Sequence, residues 1–192
     1  MNHAALVLGA GAGRRFGGDK LAAQFRGAPL IHHAIDAARA APVDRVLVVC
    51  PAHLAIGKWA GGPRVEVVRI ASPELSASLK AGIAALAGAD AVFVFLGDMP
   101  LVPHGIASDL AAALGDGFAA LPRCQGKPGH PVLLAARAFA EIEALTGDQG
   151  AGRLLKSRSD VAFVETQDEG VLLDIDRAED IARLEQRGGD ES

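Results

Sequence analysis

The sequence predicts an α/β protein with a mainly parallel, Rossmann-like central sheet. Three observations carry that prediction. The chain opens with an apolar run at residues 4–8, Ala4-Ala5-Leu6-Val7-Leu8, which breaks at once into Gly9-Ala10-Gly11-Ala12-Gly13. Strand-like and helix-like segments then alternate as far as Leu96. A β-α-β-α-β order calls for parallel strands joined by right-handed crossovers. At 192 residues, half of them apolar, the chain is long enough to bury a proper core as one domain.

The first run has the length and β-branched flavour of a buried parallel strand. The loop after it exposes backbone N–H donors, and Arg14, Arg15 and Lys20 follow within a few positions. Small residues let the backbone approach a ligand closely, and fixed cations balance its charge, a combination suited to a polyphosphate. Two familiar fingerprints fail here. The dinucleotide pattern G-x-G-x-x-G needs glycine where Arg14 or Phe16 stands, and a P-loop beginning at Gly13 needs lysine where Asp19 stands. This is a phosphate loop of another kind.

Pro29 suits the first turn of a helix over residues 29–41, with Leu30, Ile31, Ala34, Ile35 and Ala38 as its apolar face. His32 and His33 read as histidines of the helix surface. Residues 45–49 form a second buried strand, a short helix is expected near 53–60, and a third strand over 65–70. The segment 72–86 reads as a helix with Leu79, Ile83 and Leu86 on one face. Ser76 and Ser78 near its start either cap free N–H groups or help to hold a nucleotide. Residues 91–96 are the most hydrophobic strand and end in Gly97-Asp98-Met99-Pro100. An acid at the C-terminal end of a central strand lies where open α/β sheets bind ligands. Beside a triphosphate its charge requires a hard cation, and Mg²⁺ is the natural intermediary; a plain turn aspartate is the alternative.

A helix ending near Leu114 follows, then a short strand over 118–121 and a proline-rich shaped loop over 122–131. Further strands are expected over 132–134 and 161–165, with a helix boundary at 146–155 between them. His130 either packs on its neighbours or points into an active site, and Thr146 or Asp148 reads as an N-cap. A final helix spans 177–187, and the tail 188–192 is expected to fray.

The net charge of −4 is spread along the chain with no concentrated basic face. That argues against a dedicated nucleic-acid binder and not against one bound nucleotide. Neither a membrane-length apolar run nor a signal-like start is present, so a cytoplasmic location without membrane attachment is expected. Cys50 and Cys124 lack metal-ligand spacing; Cys50 reads as a small core residue, and no disulfide is expected.

The front stretch resembles the signature L-A-A-G-x-S-x-R-M-G-x-x-K of nucleotidyltransferases with the nucleotide-diphospho-sugar transferase fold. Leu8, Ala10, Gly11, Arg15, Gly17 and Lys20 match it, while Gly9, Gly13 and Phe16 replace an alanine, a serine and a methionine. Ser78, Leu79 and Gly82 match S-L-x-x-G, and Leu96 to Pro100 resembles L-[AG]-D-M-P. Gly126, Gly129, His130, Pro131 and Val132, with Gly147, Asp148, Gly150 and Ala151, resemble one branch, the molybdenum cofactor cytidylyltransferases. Gly152 stands where that branch has arginine, and Arg153 comes one place late. The family's D-I-D-T-P-E-D becomes Asp174-Ile175-Asp176-Arg177-Ala178-Glu179-Asp180.

The resemblance implies a three-layer α/β/α sandwich forming one nucleotidyltransferase domain over residues 1–187. It implies CMP transfer from CTP to the molybdopterin phosphate of molybdenum cofactor, with release of pyrophosphate. In that reading Arg15 and Lys20 neutralise the triphosphate, and Leu8, Gly9, Ala10, Gly11, Ala12 and Gly13 line the nucleotide with Arg14 and Ser78. Arg14 either adds charge or is solvated. Asp98 is a metal ligand, Asp176 a second one or the N-cap of the last helix, and His130 and Asp148 position substrate. A molybdenum hydroxylase would receive the product. The alternatives are a guanylyltransferase using GTP, a sugar-phosphate nucleotidyltransferase, and a non-catalytic carrier of the finished cofactor.

Overall fold

The computed structural model describes residues 1–9, 16–72, 74–147, 149–156 and 158–187. Its strands are β1 (His3–Leu8), β2 (Gln24–Phe25), β3 (Ala28–Pro29), β4 (Arg45–Cys50), β5 (Arg64–Arg69), β6 (Ala91–Leu96), β7 (Ala119–Cys124), β8 (Lys127–Pro128), β9 (Val132–Ala135) and β10 (Val161–Thr166). Its α-helices are α1 (Leu30–Ala40), α2 (Leu75–Ala85), α3 (Ile106–Leu114), α4 (Phe139–Ile142), α5 (Gly152–Leu155) and α6 (Ala178–Arg187).

The main sheet runs β10-β7-β9-β6-β1-β4-β5, with β8 added to β7. β1 pairs in parallel with both β4 and β6, β4 with β5, and β7 with β10. β9 lies antiparallel between β6 and β7, and the short β8 is antiparallel to β7, so the sheet is mainly parallel with two reversed strands. Side chains alternate across each strand and feed two separate cores. Ala5 and Val7 of β1, with Phe93 and Phe95 of β6, face α1, α3 and α6 through Ile31, Ile35, Leu110 and Leu184. Ala4, Leu6 and Leu8, with Val92 and Val94, face α2, α4 and α5 through Leu79, Ile83, Ile142 and Leu155. These are the three layers of the nucleotide-diphospho-sugar transferase fold. Cys50 and Cys124 are free and buried within the first core.

One local expectation changes. Residues 53–60 form no helix, and carbonyls in and beside the segment accept from side chains instead. The Arg69 guanidinium donates to Pro51 and Leu54 at 2.7 Å each, and Arg39 donates to Ala60 and Gly61. The Trp59 indole donates to Ile56 at 3.0 Å. A hairpin of β2 and β3, which the sequence reading left unassigned, turns at Arg26-Gly27 with both residues at positive φ. No helix among the described residues is long and apolar enough to cross a membrane.

Candidate active site

The C-terminal ends of β1, β4 and β6 are zipped together by their first residues beyond the strands. Gly9 donates its N–H to the Val49 carbonyl at 2.7 Å, and Gly97 donates to Leu8 at 2.9 Å. A Cβ on Gly9 would stand 2.9 Å from Ile31 Cδ1 and 3.0 Å from Cys50 Cβ, so this chain fills the space of the family's alanine with other side chains. Leu8 is buried, and its carbonyl is taken by Gly97. Ala10, Gly11, Ala12, Gly13, Arg14, Arg15 and Asp148 lie outside the described residues.

Beyond this edge the structure gathers charged side chains from three distant parts of the chain. Lys20 opens a 3-10 turn, Lys20–Ala22, and its side chain is 12% exposed. Its Nζ donates to Asp98 Oδ2 at 2.7 Å and lies 3.5 Å from Asp176 Oδ1. The Asp98 side chain is 24% exposed and that of Asp176 53%. The tie between them is a main-chain bond, since Ile175 donates its N–H to the Asp98 carbonyl at 2.9 Å while its side chain is fully buried.

That bond also delivers Asp174, which sequence reasoning left unassigned. Asp98, Asp174 and Asp176 each offer a carboxylate oxygen, all within 4.8 Å of one another. In extended backbone residues i and i+2 face the same way, so the Asp-x-Asp spacing was the available signal. Desolvation, then the charges of Asp176 and Asp98, push the Asp174 carboxyl above the ordinary aspartate range, against the pull of Lys20. Hard oxygen donors under mutual repulsion are what Mg²⁺ or Mn²⁺ relieves, so this donor set fits a divalent cation.

The raised Asp174 pKa has a stability consequence with a definite sign. A folded state that binds its proton more tightly than the unfolded chain loses stability as pH rises from the ordinary aspartate range through the raised value. Asp174→Asn should therefore stabilise the cation-free protein at neutral pH by about 0.5 kcal/mol for a partly solvated charge, read as a raised thermal midpoint. The gain should vanish in acid. A midpoint at neutral pH equal to or below that of the parent would contradict the repulsion.

His130 lies beneath the same edge. It donates its backbone N–H to Val171 at 2.9 Å. Burial lowers its pKa despite the Val94 carbonyl and the Asp98 charge, both of which favour the protonated ring. Its Nδ1 is buried and finds no hydrogen-bond partner among the described residues. Ser78 is also fully buried, and its hydroxyl donates to the carbonyl of Glu74, just before α2, at 3.1 Å. The hydroxyl thus serves the first turn of its own helix, while the Ser76 N–H reaches the Gly147 carbonyl at 3.1 Å.

Residues 5–162 match the model of the MobA-like NTP transferase domain. The chain belongs to the MobA-like NTP transferase family. It is a nucleotidyltransferase, as the family is. It is 30% identical to the purine catabolism protein PucB of Bacillus subtilis, over 91% of this chain and 92% of that one. It is 29% identical to a molybdenum cofactor guanylyltransferase of Ralstonia pickettii, over 95% of each. Among solved structures, Rv0371c of Mycobacterium tuberculosis H37Rv superposes with a TM-score of 0.82 at 26% identity, covering 97% of this chain and 99% of that one. The same protein has been solved in complex with manganese. In this MobA-like transferase, Lys20 and Asp98 fall inside the region matched to the family, and Asp174 and Asp176 after it.

Proposed function

We propose that this protein transfers a nucleotidyl group, CMP from CTP, to the terminal phosphate of a molybdopterin-type cofactor and releases pyrophosphate. The observation that carries the reading is the meeting of Lys20, the last matched residue of the stretch that resembles the family's phosphate signature, with Asp98 and Asp176 at the strand exits. The likeness to a molybdenum cofactor guanylyltransferase supports the acceptor. The G-H-P-V and G-D-x-G-A segments favour cytosine over guanine.

In the reaction a phosphate oxygen of the acceptor attacks the α-phosphorus of the nucleoside triphosphate, and pyrophosphate leaves. The acceptor oxygen is already anionic near neutrality, so catalysis reduces to alignment and charge stabilisation. Lys20 and Arg15 balance the charge of the triphosphate, and the N–H groups of residues 11–13 hold it. Asp98 and Asp176, with Asp174, would hold Mg²⁺, whose chemistry is to neutralise phosphate oxygens and keep them in line. His130, whose protonated form is disfavoured by burial, helps to position the substrate. The product would pass to a molybdenum hydroxylase.

One observation favours a second donor, GTP: the guanylyltransferase relative aligns over 95% of both chains. The test is pyrophosphate release with Mg²⁺ and purified molybdenum cofactor, with CTP, GTP, ATP and UTP in parallel. CTP is expected to win by at least about tenfold, which is ~1.4 kcal/mol of transition-state discrimination. A GTP preference would keep the mechanism and reverse the base. Tight cofactor binding without release from any nucleotide would make the protein a carrier.

A further inference from the structure

Asp180 lies inside the first turn of α6, after the segment that carries Asp174 and Asp176. Its Oδ2 accepts two backbone N–H groups, from Arg177 at 2.8 Å and from Asp176 at 3.0 Å. The Arg177 bond is the reach-back half of a capping box, in which an acid in the first turn satisfies the N-cap amide. The Asp176 bond goes one residue further and fixes the main chain of a residue whose side chain faces Lys20. Arg183 holds the other oxygen, Oδ1, at 2.8 Å, and the Asp180 side chain is largely covered. Burial opposes its ionisation, but the two amides, Arg183 and Arg177 outweigh that and keep the carboxyl below the ordinary aspartate range.

The helix that presents Asp180 is itself anchored. Leu184 is buried in the core shared with α1 and α3, and Glu185 accepts the Arg26 N–H at 2.9 Å in the turn between β2 and β3. On the other side of Asp176, Ile175 is bonded to the Asp98 carbonyl. The segment is therefore gripped at two successive amides, one by the residue that contributes a carboxylate to the cluster and one by Asp180.

We propose that Asp180 is a positioning residue for the divalent-cation site, aiming the Asp176 carboxylate at the cluster by holding the Asp176 and Arg177 amides. The inference rests on the cation reading given under Proposed function. Groups behind a metal ligand that fix its direction change metal affinity by about ten- to a hundredfold. A carboxylate that binds only the main chain of a ligand acts in the same way, through the ligand's position and not through contact with the ion.

The test measures Mn²⁺ binding to the nucleotide-free protein by electron paramagnetic resonance, well below the melting temperature. Parent, Asp180→Ala, Asp180→Asn and Asp98→Asn are compared, each with its thermal midpoint. Asp180→Ala should weaken Mn²⁺ about tenfold. Asp180→Asn, which keeps one neutral acceptor, should fall between it and the parent, and it carries the test alone if the alanine variant fails to fold. A lowered midpoint with Mn²⁺ affinity unchanged in the Asp180 variants would reduce Asp180 to a helix cap and overturn the proposal. If the parent binds no Mn²⁺, or Asp98→Asn binds it as the parent does, the cation reading itself falls, and this inference with it.

Discussion

Replacing Asp98 with asparagine is expected to lower pyrophosphate release about a thousandfold, ~4 kcal/mol of transition-state stabilisation, while leaving the fold intact. Asp98 sits where the central strand β6 ends, and its carboxylate is the closer of the two acids around Lys20, at 2.7 Å against 3.5 Å for Asp176. Asparagine keeps the shape and an oxygen but loses the charge, so it can neither anchor a hard cation well nor hold the ammonium as tightly. The bond that places the Asp174 to Asp176 segment survives, because Ile175 donates to the Asp98 main-chain carbonyl and not to its side chain. Relief of the repulsion on Asp174 offsets part of what Lys20 loses, so the thermal midpoint should stay close to that of the parent. Release within tenfold of the parent would remove Asp98 from the reaction. A collapse of the midpoint would instead make it a structural residue.

The sheet was legible because its signal is local and repeated. Apolar runs such as Leu6-Val7-Leu8 and Val92-Phe93-Val94 alternate with helix-period segments, and each crossover then follows from handedness. Lys20 and Asp98 were legible for a related reason, being tied to the exits of β1 and β6. What escaped depends on partners distant in sequence. Residues 53–60 carry enough apolar residues to resemble a helix, and only the side chains of Arg39, Trp59 and Arg69 reveal how carbonyls there are served without one. β9 has the composition of any buried strand, and its antiparallel direction follows from the short return through β8. Asp174 lies in a segment with neither strand nor helix period, so its only local signal was the two-residue spacing from Asp176. Ser78 matches a family motif, and its hydroxyl bonds to the Glu74 carbonyl at the start of its own helix.

The glycines before His130 should separate two physical demands that a motif writes with one letter. At Gly129 a Cβ would stand 2.3 Å from the Val171 carbonyl oxygen and 3.0 Å from the carbonyl carbon. That oxygen accepts the His130 N–H, so the main chain can yield only by breaking the bond that seats the histidine. Gly129→Ala is therefore expected to cost about 3 kcal/mol in urea unfolding, at the upper end for overpacking, and to depress pyrophosphate release through the displaced His130. Gly126 has open space around its Cβ direction, and its demand is conformational, with φ at +76° in the turn between β7 and β8. Alanine there meets only the left-handed backbone penalty, about 1 kcal/mol, with release nearly unchanged. Equal costs at the two positions would show that the Val171 carbonyl can move aside freely. The grip on His130 would then come from elsewhere in the loop.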